Sequence, residues 1–210
     1  MADREWIAWR VAQELREGDA VNLGIGIPTL VPKYLPKGMN VYFQSENGIV
    51  GMGAVPLPEQ QNDNLVDAAG KPTSIMTGGV VFDSSFSFAL IRGGHLDFAV
   101  LGALEVDAQG RIANWMIPGK MVPGMGGGMD LAVGAKKVIV AMTHTASGGK
   151  PKILSQCSLP LTSTRPVNKI ITDLAVIQVD QDGLVLCELA PGATIDGVLA
   201  ATGARLQIGI

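Results

Sequence analysis

Apolar residues recur along this chain with two different periods. Between Asp3 and Glu17, Ile7, Val11 and Leu15 return every four residues and Gly18 follows, which predicts an amphipathic helix with a glycine stop. Ala20-Val21-Asn22-Leu23 then reads as a first strand. It breaks at Gly24-Ile25-Gly26-Ile27-Pro28, where Pro28 suits the first turn of a short helix through Leu35. Val41 to Gln44 predicts a second strand. After a loop rich in Pro, Gln, Asn and Asp come an extended stretch at 74–82 and a helix capped by Ser84 or Ser85 that runs to Arg92 and stops at Gly93-Gly94. A core strand from Asp97 to Leu101 follows.

Shorter apolar runs predict strands at Ile112 to Trp115, Val138 to Met142, Ile170 to Thr172, Ala175 to Val179 and Leu184 to Leu189. Asp180-Gln181-Asp182-Gly183 is a hairpin connection between the last two, and Thr194 to Thr202 closes with a helix. The alternation predicts an α/β fold: an open, mainly parallel central sheet with flanking helices and some antiparallel strands near the end, in one domain over 1–210. Ligands of such sheets lie beyond the carboxyl ends of the strands, which places the turns at Gly24, Glu46 and Gly124 in one crevice.

Composition narrows the functional classes. Charged residues are 17% and hydrophobic residues 47% of the 210, with a mean hydropathy of +0.30, so polar surface is scarce and a partner is expected. No apolar run reaches the roughly 18 residues of a membrane span. Sixteen basic and nineteen acidic residues, net charge −3, are mixed along the chain and leave no footprint for nucleic acid. The acidic start, Asp3 and Glu5 leading into a helix, is unlike a secretory or transit segment and predicts a cytoplasmic protein. Two cysteines, Cys157 and Cys187, and two histidines, His95 and His144, lack ligand spacing; buried free thiols and no metal site are expected.

The chemistry centres on Ser45-Glu46-Asn47-Gly48, where a carboxylate follows a strand and enters a tight turn. A carboxylate is ionised at pH 7 and attacks without an activating base. Asn-Gly between apolar runs is equally the mark of a plain hairpin, so spacing leaves both readings open. Positive φ at Asn47 or Gly48 would fix the carboxylate at the strand end. Gly24-Ile25-Gly26 begins like a dinucleotide fingerprint, with Glu46 twenty positions beyond Gly26, but Thr29 stands at the third glycine and Pro28 removes a donor. A nucleotide- or sugar-phosphate-binding module is therefore the alternative reading. Gly124-Met125-Gly126-Gly127-Gly128 lacks a Walker ending, and its N–H groups suit a carbonyl becoming an oxyanion. Arg92 and His95 read as a helix end. Met116, Met121, Met125 and Met129 read as core filling ahead of an acyl or pantetheine channel.

Five motifs in order carry a resemblance over nearly the full length: Asn22 to Pro28, Ser45 to Gly48, Ile91 to His95, Ala113 to Val122 and Gly124 to Leu131. The chain resembles the β subunit of class I 3-oxoacid CoA-transferases of the acetoacetate or succinyl-CoA branch. The resemblance implies a companion α subunit and an α2β2 heterotetramer. It also implies exchange of CoA between an acyl-CoA, such as succinyl-, acetyl- or butyryl-CoA, and a 3-oxoacid such as acetoacetate. No cofactor is implied beyond CoA itself, which enters as substrate and is held as a transient glutamyl-CoA thioester. Glu46 matches the family's nucleophile and Gly127 the glycine whose N–H helps form the oxyanion hole. Asn22 and Lys71 match CoA contacts, although Lys71 follows Asp67-Ala68-Ala69-Gly70 where the family has Asn-Ala-Gly. Gly24, Gly26, Asn47, Gly48, Gly126 and Gly128 fall beside the substrate.

Overall fold

The computed structural model describes residues 3–120 and 124–210. Within them the strands are β1 (Ala20–Leu23), β2 (Tyr42–Ser45), β3 (Ile49–Met52), β4 (Ile75–Val81), β5 (Phe98–Leu101), β6 (Glu105–Asp107) and β7 (Ile112–Ala113), then β8 (Lys137–Ala141), β9 (Ile153–Leu154), β10 (Lys169–Ile171), β11 (Ala175–Asp180), β12 (Gly183–Leu189) and β13 (Leu206–Ile208). The helices are α1 (Asp3–Ala12), α2 (Ser84–Arg92), α3 (Gly128–Gly134) and α4 (Ile195–Ala201), with a 3₁₀ helix at Ile27–Tyr34. Ten strands form one sheet in the order β13-β12-β11-β10-β8-β5-β1-β2-β3-β4, and β7-β6-β9 form a small second sheet.

The middle of the large sheet, β10-β8-β5-β1-β2, is parallel throughout. Its strands are apolar on both faces because both faces are covered. Along β5, Phe98 and Val100 join the cluster of Ile7, Val11, Val21 and Val31 beneath α1, while Ala99 and Leu101 join Ile91, Leu131, Val138 and Val140 beneath α2 and α3. This period of two splits a single run between two cores. Each fully buried aliphatic side chain contributes about 1.5–3 kcal/mol. The Asp180–Gly183 hairpin and the closing helix behind the Thr194 cap form where the pattern places them.

Four expectations are corrected. Helix α1 ends at Ala12 and does not reach Glu17, because Gln13, Glu14 and Leu15 donate to carbonyls three residues back and tighten the chain into turns; Leu15 stays buried all the same. The cap of α2 is Asp83, whose carboxylate accepts from Phe86 N–H, and not Ser84 or Ser85. Antiparallel pairing is not confined to the C-terminal part, since β2-β3-β4 is antiparallel at the opposite edge. The thiols are not core residues: Cys157 is half-buried and Cys187 exposed, at the point where β12 slips register against β11. Burial, reinforced by Asp107 and Glu105, pushes the Cys157 thiol up to about 12. No helix among the described residues is long and apolar enough to cross a membrane.

A buried polar knot joins β10 to the end of α4. His144 is fully buried, with Nδ1 2.9 Å from Thr172 Oγ1 and Nε2 2.9 Å from Thr202 Oγ1, and its backbone N–H donates to Asp173. Burial holds its imidazole down to about 4, with Asp173 opposing and Lys152 reinforcing the shift. Above about 6.5 the ring is neutral in both folded and unfolded chains, so the knot contributes in full. As pH falls from about 6.5 toward 4 the unfolded chain takes up a proton that the folded one refuses, and stability drops by about 1.4 kcal/mol per pH unit. Denaturant titrations between those limits should show this slope, and His144→Gln should remove it.

Candidate active site

The Glu46 turn is a hairpin that also sets its carboxylate at a strand end. Ser45 pairs with Ile49, so Glu46-Asn47-Gly48 is the tip of the β2–β3 hairpin, and because β2 runs parallel to β1 the tip lies at a parallel strand's carboxyl end. Gly48 carries the positive φ, 130°, whereas Asn47 does not. Gly48 N–H donates to Ser45 O at 3.0 Å and Gly48 O accepts from Phe82 N–H at 2.9 Å, which anchors the tip to the segment leading into α2. Asn47 is exposed and donates to Val66 O, and Ser45 Oγ accepts from Ala68 N–H, so the 66–72 loop is fastened to the same turn.

Glu46 itself is half-buried. Its Oε2 accepts from Asn22 Nδ2 at 3.1 Å. Gly127, at the start of α3, lies against the carboxylate: a methyl group added there would sit 3.3 Å from Glu46 Oε1 and 3.4 Å from Phe88. Gly127 is buried and its N–H finds no acceptor among the described residues. Behind it Asn114, close to Gly128, donates to Gly102 O and accepts from Thr162 Oγ1 at 2.7 Å. Arg92 holds α2 to α3 through Asp130 at 2.7 Å, while its guanidinium lies over Phe88. The Glu46 carboxylate thus lies against a buried glycine at a helix start whose N–H has no acceptor among the described residues, an arrangement suited to negative charge developing on a carbonyl oxygen.

Of the residues singled out in the sequence, the structure brings Asn22, Glu46, Gly48 and Gly127 together, with Gly128 beside them. Lys71 is exposed on the adjoining loop and, among the described residues, makes no hydrogen bond or ion pair to Glu46. Gly24 and Gly26 belong to the next strand end. Gly24 N–H donates to Val100 O, and a methyl group added to it would sit 3.1 Å from that same oxygen of β5, so this glycine serves strand packing and offers no donor to a pyrophosphate. Gly26, with a φ of 96°, borders a separate cleft of about 240 Å³ that Ile27, Gly102, Met142 and Lys152 also line. Glu46 is not among its lining residues. Burial pushes Lys152 down to about 8 against the pull of Asp173. Gly126 is exposed, with a φ of 53°.

The methionines are corrected as well. Met116 and Met125 are half-buried and Met129 is 48% exposed, so none of the three fills the core; Met121 lies outside the described residues. Sequence reading missed Gln44, Ser87 and Phe88. Gln44 gave a signal, as a polar residue inside an apolar strand, whereas Ser87 approaches only once α2 has folded against the sheet.

Comparison with known proteins identifies the family. The family model described as coenzyme A transferase matches residues 4–201. The chain is 55% identical over 204 residues to the beta subunit of the acetate CoA-transferase of Haemophilus influenzae, covering 97% of this chain and 91% of that one. It is 48% identical over 205 residues to the B subunit of the succinyl-CoA:3-ketoacid coenzyme A transferase of Helicobacter pylori, covering 98% and 99% respectively. In fold it is similar to an acyl-CoA transferase from Escherichia coli O157:H7, with a TM-score of 0.79 at 24% identity, covering 99% of this chain and 42% of the longer one. The chain belongs to the coenzyme A transferase family.

Proposed function

We propose that this chain is the β subunit of a 3-oxoacid-type CoA-transferase in which Glu46 is the nucleophile. The observation that carries the reading is the placement of Glu46 on a hairpin tip between Asn22 Nδ2 and Gly127. Glu46 attacks the thioester carbonyl of an acyl-CoA, giving an acyl-glutamyl anhydride and a CoA thiolate. The thiolate then attacks the glutamyl carbonyl, releasing the first acid and leaving a glutamyl-CoA thioester. An incoming 3-oxoacid carboxylate reverses the sequence. Gly127 N–H donates to the oxyanion formed on the acyl carbonyl as Glu46 attacks, a contact of a kind worth about 3–4 kcal/mol. Coenzyme A is substrate throughout and no further cofactor enters.

Relatives named as beta or B subunits support a companion α subunit, and we extend this to an α2β2 assembly in the cytoplasm. Edge strand β4 and the segments beside it expose Val55, Leu57, Val80, Val81 and Phe86, a surface suited to such a partner. Acetate and succinyl-CoA in the relatives' names indicate short-chain acyl donors. The direct test incubates the assembled enzyme with acetyl- or succinyl-CoA, reduces with borohydride and maps Glu46 by mass spectrometry. Reduction confined to Glu46 is expected; an unmodified Glu46 would sink the mechanism. An exchange panel of acetoacetate, succinate, butyrate and 3-oxoadipate then identifies the acid.

A further inference from the structure

Beneath Glu46 runs a line of buried polar side chains that thioester exchange has not yet used. Asn22 and Gln44 are each 1% exposed and Ser87 is fully buried. Asn22 Nδ2 lies 3.1 Å from Glu46 Oε2, 2.7 Å from Gln44 Oε1 and 3.2 Å from the Gln44 carbonyl oxygen. Gln44 Nε2 in turn donates to Ser87 Oγ at 2.8 Å. Asn22 Oδ1 is buried without a partner, the one such side-chain atom among the described residues.

The charge of Glu46 fixes the direction of every bond in this line. An ionised carboxylate and a backbone carbonyl only accept, so the amide atom of Asn22 that faces both must be the nitrogen. Asn22 therefore donates to Gln44, which must turn Oε1 toward it and Nε2 toward Ser87. The unpartnered Oδ1 marks the same constraint. Leaving a buried acceptor unpaired is unfavourable, yet flipping the amide would set oxygen against carboxylate.

We infer that Ser87, Gln44 and Asn22 act as a relay that orients Glu46, holding Oε2 to become the carbonyl oxygen of the glutamyl intermediates and leaving Oε1, on the Gly127 side, to attack. Gln44 and Ser87 are positioning residues; Asn22 touches the reacting carboxylate. In the anhydride, Oε1 bridges to the acyl carbon. When the CoA thiolate attacks Cδ of Glu46, the displaced electron pair moves onto Oε2 and meets the Asn22 N–H. Collapse of that intermediate breaks the Cδ–Oε1 bond, releases the first acid as a carboxylate that carries Oε1 away, and leaves a Cδ–S thioester whose carbonyl is Oε2. No proton is gained or lost. The buried amides exclude water from this side and need no reorganisation as charge develops.

This inference rests on Glu46 being the nucleophile, and one experiment separates the two. The glutamyl-CoA thioester is accumulated on the assembled enzyme with ¹³C-carboxyl-labelled glutamate, and its carbonyl stretch is read by isotope-difference infrared spectroscopy alongside single-turnover rates. In the wild type a hydrogen-bonded thioester carbonyl is expected. Ser87→Ala and Gln44→Met should each move the band to higher wavenumber and slow thioester formation, by about tenfold for Ser87→Ala, equivalent to about 1.4 kcal/mol, with KM for the acyl-CoA held within about twofold. The double variant should be no slower than Gln44→Met alone, as expected of groups acting as a unit. If Gln44→Met does not assemble, Ser87→Ala carries the test, since it deletes one oxygen. No thioester band in the wild type would overturn the nucleophile itself. A wild-type band that neither substitution shifts, with unchanged rates, would overturn the relay alone.

Discussion

Glu46→Gln in the assembled enzyme should lower CoA exchange by a factor on the order of 10⁴ or more while subunit association and thermal stability stay close to wild type. The amide has the volume of the carboxylate and still offers an oxygen to Asn22 Nδ2, so the hairpin tip and the bond at 3.1 Å lose little. What disappears is the negative charge that makes the side chain a nucleophile without a base, and removing a nucleophile outright costs enzymes factors of this order. Exchange assayed with acetyl- or succinyl-CoA, beside a thermal melt and a co-purification of the companion subunit, checks both halves. Activity within tenfold of wild type would return Glu46 to the role of a turn residue.

Gly48→Ala should be nearly as damaging, by a different route. Gly48 holds a φ of 130°, and a methyl group there would overlap the carbonyl oxygen of Phe82. The strain of such a backbone alone is about 1–3 kcal/mol, and relieving the overlap means parting Phe82 from the hairpin. A loss of about 3 kcal/mol or more in denaturant titrations is expected, together with loss of exchange activity as Glu46 moves off Asn22. Gly26→Ala is the control: its φ is 96° but nothing lies within 4 Å of the added methyl, so only backbone strain applies. Equal destabilisation by the two substitutions would mean that the Phe82 contact is immaterial.

The sequence made legible whatever depends on local period and turn chemistry. The parallel core strands, the Asp180–Gly183 hairpin and the closing helix from Thr194 all announce themselves within a few residues. The short strands β3, β6, β9 and β13 did not, because two to four residues carry too little period to separate from loop, and their pairing is decided by distant partners. The site divided along the same line. Glu46 and Gly127 were legible as a carboxylate at a strand end and a glycine-dense loop. Ser87 was not, and Gln44 showed only as a polar residue inside an apolar strand, because the pair acquires meaning only where β2 meets α2 at 2.8 Å.

The order of the strands also governs when this chemistry can exist. The β2–β3 hairpin bearing Glu46 is closed by neighbours in sequence and can form within microseconds, whereas Asn22 and Gly127 reach it only through the parallel pairings of β1 with β2 and β5 and of β5 with β8. Each of those needs a long crossover, so they are the slow steps of assembly. A nascent or partly folded chain therefore presents the Glu46 carboxylate without Asn22 Nδ2 and Gly127 beside it. On the proposed mechanism, the site is complete only once the sheet is whole.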